Sequence, residues 1–218
     1  MKKGLTELVF ILDRSGSMSG LESDTIGGYN STLMKQREAK GECHITTVLF
    51  DDQYELIHDR INIKAISQIT EKEYFVRGST ALVDAIGKTI HKIGNAQKYT
   101  ADEYRAEKVV FVIITDGLEN ASREYSSSQI KHMIERQKER YGWEFIFLGA
   151  NIDAVETAAQ YGIGANRAQN FHADSIGIDR VMCRMGFAIK DYICSDGEMS
   201  DDWGDEIEKD YKSRKKQR

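Results

Sequence analysis

Short β-rich runs alternate along this chain with stretches whose apolar residues recur at helical spacing. That alternation constrains the fold more than any other feature. Residues 8–12 (LVFIL) form a continuous apolar run, the pattern of a strand buried on both faces. Residues 23–38 follow, with Ile26, Tyr29, Leu33 and Met34 near helical spacing. Residues 44–50 (HITTVLF) and 54–63 (YELIHDRINI) are β-rich runs joined by Asp51-Asp52-Gln53, and predict a hairpin whose second strand lies at a sheet edge. Residues 80–93 carry Leu82, Ile86, Ile90 and Ile93 on one helical face. The most apolar stretch, residues 109–114 (VVFVII), predicts a central strand. A helix is expected over 128–140, a strand over 143–148 (WEFIFL), a helix over 152–161 and a last edge strand over 169–172. Ile178, Met182, Met185, Ile189 and Tyr192 then mark a final amphipathic helix. Strands alternating with helices imply a doubly wound α/β domain: a mainly parallel sheet with one antiparallel edge strand and helices on both faces.

One domain is expected over residues 1–195 and a polar, mobile tail over 196–218, where an acidic block precedes the basic end KSRKKQR. That short basic end does not by itself establish a nucleic-acid or acidic partner. The net charge of −5 over 218 residues is mild, and bulk electrostatics predict neither nucleic acid nor membrane as a partner. No apolar run approaches the roughly 20 residues that span a bilayer. The opening MKKGLTELVF reads as a first strand rather than a secretory signal, because Asp13 ends a run too short for a signal core. The cysteines, Cys43, Cys183 and Cys194, are odd in number and widely spaced, which favours reduced thiols and a cytoplasmic protein.

Ligands of such sheets bind outside the carboxyl ends of the parallel strands. After the first strand stands Asp13-Arg14-Ser15-Gly16-Ser17, a D-x-S-x-S string; after the VVFVII strand stands Thr115-Asp116-Gly117; before the Leu82 helix stands Gly78-Ser79-Thr80. Their donors are carboxylates from Asp13 and Asp116 and hydroxyls from Ser15, Ser17 and Thr80. Hard oxygen donors suit Mg²⁺, with Mn²⁺ or Ca²⁺ as alternatives, and match zinc or copper poorly. In an extended loop, residues two apart project the same way, so Asp13, Ser15 and Ser17 converge while Arg14 turns elsewhere. Two carboxylates only just balance a divalent ion. If they act partly through water, the ion stays open to an Asp or Glu of another protein.

FILDRSGSM, GSTALVDAI and VIITDGLEN, in that order and at those separations, resemble the von Willebrand factor type A domain over roughly residues 6–195. The resemblance implies a Rossmann-like fold and a metal-ion-dependent adhesion site. Position by position, Asp13, Ser15, Ser17, Thr80 and Asp116 match that site. In the family the serines usually ligate directly, the threonine directly or through water, and the aspartates often through water. Gly78-Ser79-Thr80 stands where many members have Gly-Gly-Thr, and the ligand position is retained. The resemblance also implies settings beside ATPases or in stress-resistance systems, and the residues select none of them.

The reading that follows is a non-enzymatic, metal-dependent protein-binding module. The alternative is a metal-dependent phosphohydrolase or nucleotide-binding protein using the same sheet edge. A phosphatase of the haloacid-dehalogenase type needs a second aspartate where Ser15 stands. No G-x-S-x-G elbow or Walker loop occurs, and His44, His58, His91, His132 and His172 show no metal-ligand spacing. Glu119 and Asn120, after the T-D-G turn, are candidates for the rim or for plain surface.

Overall fold

In a computed structural model describing residues 1–215, the run at 8–12 is the inner part of strand β1 (Lys2–Asp13). Helix α1 (Glu22–Arg37), strands β2 (Glu42–Phe50) and β3 (Tyr54–Asn62) and helix α2 (Leu82–Tyr99) follow. Strand β4 (Ala106–Thr115), helix α3 (Ser127–Tyr141), strand β5 (Glu144–Ala150) and helix α4 (Ala154–Gln160) come next. Strand β6 (Ala168–Phe171) and helices α5 (Ser175–Cys194) and α6 (Asp205–Lys215) complete the order. The strands lie in the order β3-β2-β1-β4-β5-β6. Among the described residues only β3 runs antiparallel, paired with β2 at one edge. The doubly wound α/β reading therefore holds.

Pleating explains the uninterrupted apolar runs. Leu8, Phe10 and Leu12 of β1 point into a core shared with α1 and α5, whereas Val9 and Ile11 point into a second core under α2, α3 and α4. Strand β4 divides its residues the same way, Val110, Val112 and Ile114 against Val109, Phe111 and Ile113. A strand covered on both faces has no polar face to show, so its sequence does not alternate. Edge strand β3 is only half-buried and mixes apolar with charged residues.

Helix α1 departs from its expected face. Tyr29 and Leu33 are buried, but Met34 is 53% exposed, and Thr32 and Gln36 are buried in its stead. The reason is close packing on α5, where Gly28 leaves room only for Met182. The buried polar groups find acceptors: the Thr32 hydroxyl donates to the Gly28 carbonyl within α1 at 3.0 Å and reaches the Met182 carbonyl of α5 at 3.4 Å, and Gln36 Nε2 donates across the gap to the Gly186 carbonyl at 2.7 Å. Buried polar groups that find partners cost little.

The largest difference lies after residue 195, where a polar mobile tail is expected. Residues 205–215 form α6, which packs on β6. Met199 and Ile207 are buried in the α5-side core. Arg167 holds the approach, donating to the Met199 carbonyl at 2.7 Å and pairing with Asp201 at 2.6 Å and Glu144 at 2.9 Å. Arg214 pairs with Asp174, and His172 Nε2 lies 3.0 Å from the Tyr211 carbonyl oxygen. Two apolar anchors in so polar a stretch are too few to register as periodicity, yet they suffice where charged groups find partners across the contact. Residues 216–218, the end of the basic block, lie outside the described residues. Among the described residues no helix is long and apolar enough to cross a membrane.

Ile207→Ala tests this attachment. Truncating a buried isoleucine should lower the unfolding free energy by roughly 2 kcal/mol or more, read as an earlier urea midpoint at unchanged slope. A tail detached in solution would leave the midpoint where it was.

Candidate metal centre

β1 has β2 on one side and β4 on the other, so the winding reverses direction between β1 and β4. A crevice opens outside the carboxyl ends of strands at such a point. Asp13 is the last residue of β1 and Thr115 the last of β4. The Asp13 carboxylate ties both ends together: Oδ1 accepts from the Ser15 amide at 2.7 Å, and Oδ2 accepts from the Thr115 hydroxyl at 2.6 Å. The Asp13 carbonyl accepts from the buried Tyr74 hydroxyl at 2.5 Å.

Beyond Asp13 the chain makes a short 3-10 turn (Gly16–Met18). The Ser15 and Ser17 hydroxyls lie 3.0 Å apart, and the Thr80 hydroxyl donates to Ser15 Oγ at 3.0 Å. The Gly16 amide donates to the Gly78 carbonyl at 3.2 Å, joining the two loops that carry those hydroxyls. Gly78 has φ +67°, and a Cβ there would run into the Asp52 carboxylate. Gly117 lies over the same cluster: a Cβ at this position would be 3.1 Å from Ser17 Oγ and 3.4 Å from Thr80 Oγ1. Its neighbour Asp116 is close enough to raise the cost of charge on Asp13. All five residues singled out in the sequence, Asp13, Ser15, Ser17, Thr80 and Asp116, thus come together at one rim.

Arg14 turns away from them, as alternation requires. Its side chain is fully buried, with Nε donating to Asp51 Oδ2 at 3.0 Å and Nη2 pairing with Glu55 at 2.6 Å. Arg77 bonds the same Asp51 oxygen at 2.6 Å, and the Phe75 ring lies beneath both guanidinium groups at 5.3 and 5.5 Å. Burial alone would raise the Asp51 carboxyl, but bonds from Arg77, the Gln53 amide and Arg14 together hold it below the usual range.

Helpers surround the rim, of which sequence reasoning missed Thr115 and Tyr74 and left Glu119 and Asn120 between rim and plain surface. Thr115 sits inside the T-D-G string, and its place at a strand end could have marked it as a partner for Asp13. Asn120 accepts from the Thr80 amide at 2.9 Å, while its own amide donates back to the Thr80 carbonyl at 3.0 Å. Glu119 accepts from the amides of Val83, Ala121 and Ser122 at 2.7–2.9 Å, binding the β4–α3 loop to the first turn of α2. Both are rim scaffolding rather than plain surface. Tyr74 gave no signal, because it lies in a connection without periodicity.

A scan against protein-family models finds no match. No curated protein matches either. Solved structures do. A von Willebrand factor type A protein from Catenulispora acidiphila superposes with a TM-score of 0.57 at 12% identity, over 86% of this chain and 42% of that one. Manganese-loaded TRAP protein from Plasmodium vivax gives 0.59 at 17% identity, over 84% of this chain and 73% of that one. Proximal thread matrix protein 1 from the mussel byssus, with a zinc-occupied MIDAS motif, gives 0.57 at 13%, over 86% and 46%. This chain has the von Willebrand factor type A fold. It spans less than half the length of the mussel and Catenulispora proteins.

At the point of the type A fold where its strands reverse order, one donor is conspicuously unused. Asp116 is 2% exposed, and among the described residues neither of its carboxylate oxygens has a hydrogen-bond partner. Burial pushes its carboxyl up, and the nearby Ser17 hydroxyl relieves only part of that, without the geometry of a hydrogen bond. Burial also pushes Asp13 up, against the bonds from Thr115 and Ser15 and with a further push from Asp116. Two buried carboxylates at one rim, with no basic side chain bonded to either among the described residues, form a surrounding that a divalent cation would relieve. Hydroxyl and carboxylate oxygens are also the donors that such a hard ion takes. The residues present therefore fit the ion.

Replacing Asp116 by Asn removes a buried charge that lacks a partner. In chelator, Asp116→Asn should raise the unfolding free energy by roughly 1–3 kcal/mol, while thermal scans with added Mg²⁺ should lose the metal-dependent rise shown by the wild type. A lower midpoint in chelator would mean that the Asp116 carboxylate is already compensated.

Proposed function

We propose that this chain is a metal-dependent protein-binding module of the type A fold, in which Asp13, Ser15, Ser17, Thr80 and Asp116 hold one divalent cation, Mg²⁺ ahead of Mn²⁺ or Ca²⁺. The observation that carries the reading is the unpartnered Asp116 carboxylate beside the mutually bonded hydroxyls of Ser15, Ser17 and Thr80. When bound, the cation supplies a Lewis-acidic position that an Asp or Glu of a partner protein completes. The chain's own residues do the rest. Asp13, held by Ser15 and Thr115, fixes the frame of the loop. Asn120 fixes the height of Thr80. The neutral hydroxyls keep formal negative charge low, so an incoming carboxylate meets a net attraction.

The manganese-loaded and zinc-occupied neighbours support a divalent ion in a site of this kind. The mussel structure also weakens the exclusion of zinc drawn from the oxygen donor set, so the choice of metal is to be measured. We read the module as non-enzymatic, in keeping with a donor set of hydroxyls and carboxylates that holds no histidine, cysteine or lysine. Among the described residues Cys43, Cys183 and Cys194 are free thiols, which supports a reducing, cytoplasmic setting.

The test compares the wild type with an Asp13→Ala, Ser15→Ala double variant. Mg²⁺ titration followed by calorimetry should show one site in the wild type and none in the variant. Pull-downs in Mg²⁺ should recover a protein that is lost with chelator and absent with the variant. Equal recovery under all conditions, or turnover of generic phosphate esters that chelator stops, would refute the binding role.

A further inference from the structure

The segment that covers β6 also builds a second surface. Between the C-terminal half of α5 and residues 198–206 lies a cleft of about 370 Å³, within the size range of sites that take a small group. It is independent of the metal reading and lies toward the far end of α5, whereas the rim lies at the carboxyl ends of the strands.

Its walls have two chemistries. The apolar part comes from Phe187, Tyr192 and Trp203, and Phe187 is 47% exposed. The polar part is dominated by carboxylates: Asp191, Glu198, Asp202 and Glu206 line the cleft against a single cation, Arg184. Arg184 is already paired with Glu206. Asp202 accepts a bond from the Ser200 hydroxyl. Among the described residues, no ion pair reaches Asp191 or Glu198. Four carboxylates against one guanidinium leave the lining with a net negative charge, and its low-dielectric aromatic walls concentrate that field.

Two of these rings already stand against cations of the chain itself. The Lys35 ammonium stands 4.8 Å from the centroid of Phe187, and the Lys108 ammonium 4.3 Å from that of Tyr192. A ring face and a nearby carboxylate act on a cation in the same direction. An acidic ligand would be repelled here. A purely apolar one would strip water from Asp191 and Glu198 without pairing them, which is costly.

We propose that this cleft binds a basic side chain, arginine or lysine, carried on a partner polypeptide. The aliphatic stem lies against Phe187 and Trp203, and the charge faces Asp191 and Glu198. The domain would then present two opposite preferences, an acidic group at the metal rim and a basic group at the α5 cleft.

The test uses the full chain in chelator and tetra-arginine amide as the probe, followed by tryptophan emission. Trp143 is buried, so a change reports Trp203. The expected result is a saturable change, weakened about tenfold or more in an Asp191→Asn, Glu198→Gln variant. Phe187→Ala, which keeps every charge, should weaken binding several-fold as well. Removing two exposed carboxylates from the opposite face, Glu139→Gln with Glu156→Gln, should change it less than about twofold. Circular dichroism melts confirm that each variant folds. Equal weakening by the two carboxylate pairs would show diffuse attraction and overturn the proposal. So would the absence of saturation, equal binding of tetra-glutamate, or self-association that Phe187→Ala abolishes, which would make the cleft a contact between copies.

Discussion

The rim depends on a single carboxylate that is used twice. Asp13 ends β1, and its two oxygens accept from the loop that follows it and from Thr115 at the end of β4. A buried carboxylate with both oxygens engaged is a rigid joint. It fixes the distance between two strand ends and aims Ser15 and Ser17 back toward Thr80. The parallel pairing of β1 with β4, buried on both faces, sets the scale of that joint. Asp116 stands in contrast, since its oxygens are equally buried but take part in no bond. Of two aspartates with the same side chain, one frames the site and one is left open.

Arg14 performs the complementary task on the other side of the same loop. Its guanidinium enters a cluster with Asp51, Glu55 and Arg77. A buried ion pair of this kind adds little net stability, but removing one partner is strongly destabilising. Its effect here is geometric. The β1–α1 loop, the β2–β3 turn and the connection ahead of α2 are joined by polar contacts that have direction, where apolar packing would leave them free to slide. Tyr74 adds a bond to the Asp13 carbonyl from that connection. Asn30 adds two more, at Ile69. A segment without helix or strand is thereby tied to the elements around it.

At the opposite edge of the sheet the chain's own end covers an exposed strand. A short edge strand offers unpaired backbone groups to other chains, and covering it is a common remedy. Here α6 and the preceding loop do so through Met199, Ile207 and the bonds of Arg167. The cover is held by ion pairs around few apolar contacts, and it creates the acid-rimmed cleft on α5.

The sequence by itself determined the layers and the donors. Continuous, β-branched apolar runs such as VVFVII fit strands buried on both faces, and helical spacing between them fits parallel crossovers. The ends of those runs and the loop ahead of α2, together with a family resemblance, single out Asp13, Ser15, Ser17, Thr80 and Asp116 as candidate donors. Tertiary structure decided what local order does not encode. Met34 has the spacing of a buried residue, but Gly28 brings α5 so close that Thr32 and Gln36 take the buried positions. Residues 199–215 look like solvated chain until Arg167, Asp174 and His172, distant in sequence, supply their partners. Thr115, Asn120 and Tyr74 carry no motif of their own, because a supporting hydrogen bond needs only a donor in the right place. Periodicity reports which face a residue turns to the core, whereas pairing between remote polar groups exists only once the chain has brought them together.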